Sequence, residues 1–458
     1  MRKASIAGWI KREFAAVNFG DQRLKERIGQ IAQDLSLHPQ ASIAKASGLW
    51  AKTKGAYRFF DHPKVSAQDI LISHREATLE RMADEKVILM VQDTTGLHYA
   101  FQDESSGLGS LGNRDDSALG MWLHTTLCLN GQGTALGLAD GQMWVRDPAK
   151  AGVSVQRKER AIENKESYRW LQSFAQSVAV AKELPQARVI NIADREGDIY
   201  ELFAEAAKNP GVGVLVRARH NRRLEKEQQR LWQFIASQPV AGEVEITVPR
   251  KPGATSYQTR LEVRFSEVEP VAPQNQSQGL KLWIIEARQS GVSAAKALCW
   301  RLMTNVAVTD LAAAVEKVQW YRLRWRIEEF HRVLKSGCKA ESRQLEQLQR
   351  LKNVLAIDMI IAWRVLELTR ASRQKPEAPA TELLAEEEVV VICAMTKKFA
   401  GRKSLTLNEA VRAIAQWGGF LARKGDGDPG PMTIWSGLLR LNDYSTGFHH
   451  ALKLMGNA

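Results

Sequence analysis

The chain is poor in cysteine. Cys128, Cys299, Cys338 and Cys393 are scattered over 458 residues with no CxxC pair. That argues against a disulfide framework and against a thiolate zinc site, and it suits a reducing cytoplasm. Long apolar runs are missing too: none reaches the ~18 residues needed to span a bilayer. The N-terminus meets a Lys-Arg-Glu cluster too soon for a signal peptide. There is no internal repeat and no low-complexity tract. Acid is in deficit, with 51 Asp and Glu against 64 Lys and Arg, a formal net charge of +13. A polyanionic partner is the expectation. What the chain does have, 44% hydrophobic and 25% charged residues, reads as globular, with length for roughly two to four domains.

The most informative stretch is 321–337, Tyr-Arg-Leu-Arg-Trp-Arg-Ile-Glu-Glu-Phe-His-Arg-Val-Leu-Lys-Ser-Gly. At about 100° per residue, Leu323, Ile327, Phe330 and Leu334 share one helical stripe fit for a core. Tyr321, Arg324, Glu328, Arg332 and Lys335 fall nearly opposite. An ordinary surface helix with i,i+4 ion pairs would look similar. However, this face is lopsidedly cationic around one acid, with Trp325 beside it. That suits a phosphate backbone and a metal-holding carboxylate. The spacing predicts one long helix from Asp310 to about Ser336, capped by Thr309 and stopped by Gly337. A second helix is expected over 342–370.

Two apolar runs of strand length end in acids. Lys86–Val91 leads to Asp93-Thr94-Thr95, and Arg188–Ala193 leads to Asp194-Arg195-Glu196. Each reads as a buried strand that delivers an aspartate at its carboxyl end. Such an acid is costly unless it meets a metal or a cation from elsewhere. Glu196 and Asp198 compete with Asp194. Trp122–Leu129 and Thr134–Leu138 continue as antiparallel strands around Asn130-Gly131. His124, inside a strand, reads as a core or near-site residue. Gly107–Gly112 fits G-x-G-x-x-G formally, but it lies between strands, so a hairpin loop is expected and not a dinucleotide site. A polar, charged helix is expected over 154–183. The order strand, strand, strand, helix, strand, helix is that of an RNase H-like core. In it Asp93, Asp194 and Glu328 would converge on hard divalent ions, Mg2+ or Mn2+, with two ions about 3.5–4 Å apart.

Tyr321-x2-Arg324-x3-Glu328-x6-Lys335, with the intervening Trp325–His331, resembles the signature of the insertion-sequence-four family of cut-and-paste transposases, of the Tn-five type. Gly55–Phe59, Pro63, Val65, Asp194–Glu196, Trp417–Phe420 and Lys424–Gly427 match the family as well. The resemblance implies an α/β protein whose RNase H-like catalytic domain (71–370) carries a β-rich insertion (about 211–308). A helical DNA-binding domain (1–70) and a helical C-terminal dimerisation domain (382–458) would flank it. It implies Asp93, Asp194 and Glu328 as catalytic metal ligands for two Mg2+ ions, with Mn2+ able to substitute. Tyr321, Arg324 and Lys335 would grip phosphates, and Trp300 would stack on a flipped-out base.

Further DNA contacts are expected from Arg195, Arg332, Trp325 and a basic cluster holding Arg217 and Arg219. The first 70 residues, with twelve Lys and Arg against six Asp and Glu, add Arg23, Arg27, Lys54 and Arg58. The partners implied are double-stranded DNA, as inverted transposon ends and target, and a second copy in a synaptic homodimer, in the cytoplasm at the nucleoid. The expected reaction is hydrolytic nicking, hairpin formation and transfer of 3′-OH ends into target DNA. Two alternatives keep some of these features: a nuclease or resolvase without strand transfer, and a DNA-binding derivative that does not cut.

Overall fold

Strict alternation along the central strands gives each of them two apolar faces, and the structure is layered accordingly. The computed structural model describes residues 6–100, 106–112, 119–146, 161–248, 257–273, 279–293 and 296–456. Ten strands form one sheet: β1 Val87–His98, β2 Gly109–Ser110, β3 Leu119–Asn130, β4 Ala135–Trp144, β5 Arg188–Ala193, β6 Val212–Arg217, β7 Gly242–Val248, β8 Tyr257–Val268, β9 Leu282–Gln289 and β10 Cys299–Thr304. Their spatial order is β3-β1-β5-β6-β10-β9-β8-β7, with β4 and the short β2 on the outer side of β3. β1, β3 and β4 are successive antiparallel strands, while β1, β5 and β6 are parallel. This is the RNase H-like order.

Odd and even residues of β1 part company as the pleat requires. Leu89 and Val91 enter the core that also holds the N-terminal helices and residues 314–366. Ile88 and Met90 enter the core on the opposite face, with Trp170 and Phe174. β5 repeats the pattern, with Ile190 and Ile192 on the first face and Val189 on the second.

The described residues hold fourteen α-helices, of which the last three pack on the helix before them and on one another rather than on the sheet. Five precede it: α1 Gly8–Glu13, α2 Gln22–Leu37, α3 Ile43–Ser47, α4 Trp50–Phe60 and α5 Ala67–Met82. Three lie between its strands: α6 Tyr168–Glu183, α7 Tyr200–Lys208 and α8 Leu231–Ser237. Six follow: α9 Leu311–Leu323, α10 Trp325–Arg332, α11 Leu348–Gln374, α12 Glu386–Met395, α13 Leu407–Trp417 and α14 Pro431–Gly456.

Four expectations need correction. The helix expected from Asp310 to Ser336 is α9 and α10 joined at Arg324. Arg324 keeps helical angles (φ −51°, ψ −32°), but the bonds around it reach three residues back. The end widens into a π-turn over Val333–Gly337, and the cap is Asp310, whose carboxylate accepts from Ala313 N–H, not Thr309. The following helix starts at Leu348, not 342. The helix expected from 154 starts at Tyr168, and residues 154–160 lie outside the described ones. Finally, Val212–Arg217, read with the β-rich insertion, is the parallel neighbour of β5 and so belongs to the core sheet. The later strands β7–β10 extend that same sheet edge to edge.

Buried ionic contacts fasten the N-terminal helices to this frame. Glu13 is 1% exposed. It accepts from Arg81 Nη1 (2.7 Å) and from His74 Nδ1 (2.6 Å). Leu138 N–H donates to His74 Nε2, so the ring is the neutral Nδ1–H tautomer, in keeping with burial pressing its pKa down. Burial alone would raise Glu13, but the His74 hydrogen bond and the Arg81 charge outweigh it and hold its carboxyl at about 2. Arg343 makes a second clasp. It pairs with buried Asp358 (2.6 Å) and donates to the carbonyls of Pro39 and Ala41. In the C-terminal helices, Gly418 and Gly437 let α13 and α14 touch, because a Cβ on Gly437 would stand 1.7 Å from the Ile414 carbonyl oxygen.

Glu13→Gln is expected to lower stability by about 2 kcal/mol at neutral pH, read from the denaturant midpoint of the first unfolding transition. Because the folded pKa lies below the ordinary 4.5, the native protein's advantage over the variant should persist above that value. It should fade as pH falls through about 2.

Candidate active site at the fork of two parallel strands

The parallel ladder of β1 and β5 ends at Val91↔Ile192. The same register carried two residues further sets Asp93 level with Asp194. By alternation Asp93 follows Leu89 and Val91, and Asp194 follows Ile190 and Ile192, so both belong to the face that α10 covers. β5 stops at Ala193, whereas β1 runs on to His98 against β3. The two acids therefore sit where these neighbouring strands diverge: Asp194 just past the end of β5, and Asp93 inside β1, which was expected to end there but runs five residues further against β3. Asp194 accepts from Glu196 N–H (2.8 Å), which turns the chain away. Thr94 N–H donates to Asp93 Oδ1 (2.9 Å).

α10 brings the third acid. Leu323, Ile327, Phe330 and Leu334 are all buried, as their stripe predicts, and this turns Glu328 toward the fork. Arg324 lies between: Nη2 meets Glu328 Oε1 at 2.5 Å and Nη1 meets Asp93 Oδ2 at 3.5 Å. Burial is the largest influence on Asp93 and raises its carboxyl. Arg324 opposes this, while the negative charges of Asp194 and Glu328 add to it, and the result is about 7. One guanidinium thus pairs with two of the three carboxylates. Among the described residues no three His, Cys, Asp or Glu side chains close on one point as a finished metal shell. With Arg324 bridging two of the acids, the set is gathered but not drawn tight. Its chemistry nonetheless fits hard divalent cations, since all the donors are carboxylate oxygens and their mutual repulsion is under-compensated.

The other expected residues divide. Tyr321 is not on an open polar face. It is buried, and its ring packs edge-on against Trp300 with centroids 5.5 Å apart. Arg324 lies 6.0 Å from the same ring, so Trp300, Tyr321 and Arg324 form one continuous surface beside the acids. Lys335 is already engaged. It donates to the Gly96 carbonyl (2.6 Å), tying the π-turn to β1. Trp325 and Arg332 are exposed, as are Arg195 and Arg219; Arg217 is half-buried and donates to the Cys299 carbonyl. The competing acid Asp198 is structural: buried, it accepts from the backbone of Arg219 and His220 and pairs with Arg222 at 2.6 Å. Arg222, close in sequence to Arg217 and Arg219, is thereby held by Asp198.

On α4, Trp50 (78% exposed), Lys54 and Arg58 share one solvent face at i, i+4, i+8. Arg23 is exposed but folds back on Asp21, and Arg27 is half-buried beside Gly55. Sequence reasoning missed Arg169, and it singled out Thr94 and Glu196 only as neighbours of the two aspartates; the three are joined by hydrogen bonds behind the site. The sequence signals were the hydroxyl pair after Asp93 and the acid two residues after Asp194.

Three family models match the chain. Residues 6–65 match the transposase DNA-binding model, 174–363 the transposase DDE domain, and 360–454 the transposase Tn5 dimerisation domain. The chain is a DDE transposase of the Tn5 type, in the insertion-sequence-four family. It is a metal-dependent enzyme of phosphodiester chemistry that binds DNA and dimerises. The DDE match spans Asp194, Trp300 and Tyr321 through Lys335 but starts after Asp93. Asp93 joins them through the sheet register alone. No helix among the described residues is long and apolar enough to cross a membrane.

In the metal-free transposase, the carboxyl carbon of Asp93 should titrate near 7, read by NMR of selectively labelled aspartate. Arg324→Gln should move that midpoint up, because it removes the opposing cation. Glu328→Gln should move it down, because it removes a neighbouring negative charge.

Proposed function

We propose that this transposase cuts at the ends of its own element and joins them to target DNA, with Asp93, Asp194 and Glu328 as ligands of two Mg2+ ions that Mn2+ can replace. The single observation that carries the reading is Asp93 level with Asp194 across one strand fork, with Arg324 paired to both Asp93 and Glu328. Bound divalent ions would activate the attacking oxygen and stabilise the leaving one. The chain's own residues do the rest. Arg324 exchanges its bonds to Asp93 and Glu328 for a phosphate of the cut strand. Lys335, next to Gly96, does the same at the rim. Trp300, backed by Tyr321, offers a ring face to a base turned out of the duplex, which lets the freed 3′-OH reach the opposite strand as a hairpin. Water then hydrolyses the hairpin phosphodiester and restores the 3′-OH, which attacks a target phosphodiester and displaces a target 3′-oxygen.

Residues 1–70 act as the end-binding domain, with Lys54 and Arg58 on α4 and Arg23 and Arg27 on α2 as phosphate contacts. Arg195, Arg217, Arg219, Trp325 and Arg332 extend the DNA track from the fork. Residues 71–370 act as the catalytic domain, and 382–458 join two copies in a synaptic complex. The exposed Leu452, Leu454 and Met455 at the end of α14 suit that role. The enzyme works in the cytoplasm at the nucleoid.

Glu328→Gln should lower end cleavage in Mg2+ by at least about a thousandfold, roughly 4 kcal/mol of barrier, with end binding in a gel assay preserved. Undiminished cleavage would end the assignment. Pre-cut ends incubated with supercoiled target should be joined to it; cutting without joining would favour a nuclease instead. Trp300→Ala should slow hairpin formation more than the first nick.

A further inference from the structure

The fork that gathers the acids also leaves them unheld. No ladder bond joins β1 to β5 beyond Val91↔Ile192, yet the two aspartates that follow are like-charged and repel. We propose that Arg169, on α6 and on the opposite side of the sheet from the acids, is the positioning residue that spans this gap and sets the separation of Asp93 and Asp194. The proposal rests on the reading of those two residues as metal ligands.

Arg169 Nε donates to Thr94 Oγ1 at 3.0 Å, and its Nη2 donates to Glu196 Oε2 at 2.8 Å. Each end of the guanidinium thus reaches a residue that itself holds a catalytic carboxylate by a backbone N–H: Thr94 to Asp93 Oδ1, and Glu196 to Asp194 Oδ1. Nη1 donates to the Glu166 carbonyl, fixing the third corner of the fork-shaped group (2.8 Å). Its side chain is 12% exposed.

Behind Thr94 the chain of bonds continues inward. With Arg169 donating to its oxygen, the Thr94 hydroxyl donates to His124 Nδ1 (2.8 Å), and His124 Nε2 donates to the Gln92 side chain (3.1 Å). His124 is buried against Trp170, the residue after Arg169. Even-numbered Gln92 and Thr94 belong to this face, and odd-numbered Asp93 to the other. The clamp therefore acts through the backbone of both strand ends and touches no reacting atom. A planar guanidinium can hold two partners at a fixed spacing, whereas an ammonium cannot.

Outer partners of metal ligands commonly tune affinity or activity by about 10–100-fold. Arg169→Ala should lower end cleavage within that range and raise the Mg2+ concentration for half-maximal cutting about tenfold. Mn2+ should recover part of the loss. End binding by gel shift and the Tm should stay near the wild-type values. Mn2+ bound by the complex with pre-cut end DNA, counted by electron paramagnetic resonance, should weaken by a similar factor, a readout independent of turnover. Arg169→Lys should restore little, since charge alone is not the device.

Wild-type metal dependence and Mn2+ affinity in Arg169→Ala would overturn the proposal. So would full rescue by Arg169→Lys. If Arg169→Ala does not fold, Glu196→Gln, exposed at the other end of the clamp, serves instead: a smaller shift in Mn2+ affinity in the same direction supports it, and no shift overturns it. Asp93→Asn run in parallel separates the two ideas. If Asp93→Asn still cuts, the ligand reading has failed; if it is inactive while Arg169→Ala behaves as wild type, only the clamp has failed.

Discussion

Three carboxylates held near one another repel, and that repulsion is what the surrounding structure has to manage. Asp93 and Asp194 come level because parallel strands β1 and β5 share a register, and Glu328 is turned toward them by the buried stripe of α10. A single guanidinium, that of Arg324, lies within reach of two of them. Burial and the neighbouring negative charge hold Asp93 near 7. A site of this kind is poised, because it lowers its free energy by accepting positive charge. The same Arg324 is a group that a phosphate can attract away. In the proposed reading, DNA and divalent ions complete the site together, drawn by this shortage of positive charge.

The sheet makes this possible by being buried on both faces. The acid-bearing face packs against the N-terminal helices and α9–α11, and the opposite face against α6 and α7. The β-rich segment does not form a separate lobe. It adds β10, β9, β8 and β7 to the free side of β6 and carries Trp300 on β10 back to Tyr321. The edge extension and the catalytic helix thus meet at one aromatic contact beside the acids.

The flanking helical regions are fastened by buried charges. Glu13 with Arg81 and neutral His74 docks α1 on α5 and β4, and Arg343 with Asp358 grips the 39–41 turn. Buried pairs of this sort add specificity of docking more reliably than net stability, because each charge gives up its hydration to form them. Their geometry fixes where the exposed face of α4 with Trp50, Lys54 and Arg58 points relative to the fork. That is the kind of constraint an enzyme needs when binding at one place must aim cutting at another.

Much was legible from local pattern. The apolar stripe of 323–334, the acids at the ends of two strand-length runs, the antiparallel order of the first three strands and the family signature at Tyr321 to Lys335 all depend on neighbours within a few residues. Periodicity and motif spacing report such neighbours directly. The tightening at Arg324, the membership of β6 in the core sheet, the structural role of Asp198 and the burial of Tyr321 were not legible, because each is decided by partners distant in the chain. The Arg169 bridge to Thr94 and Glu196 is the clearest case, since its two arms span 75 and 27 residues. The sequence by itself determined which side chains carry the charge and which face of each element is apolar. Only tertiary packing decided which charges meet, because that depends on strand register and on the loss of water around them.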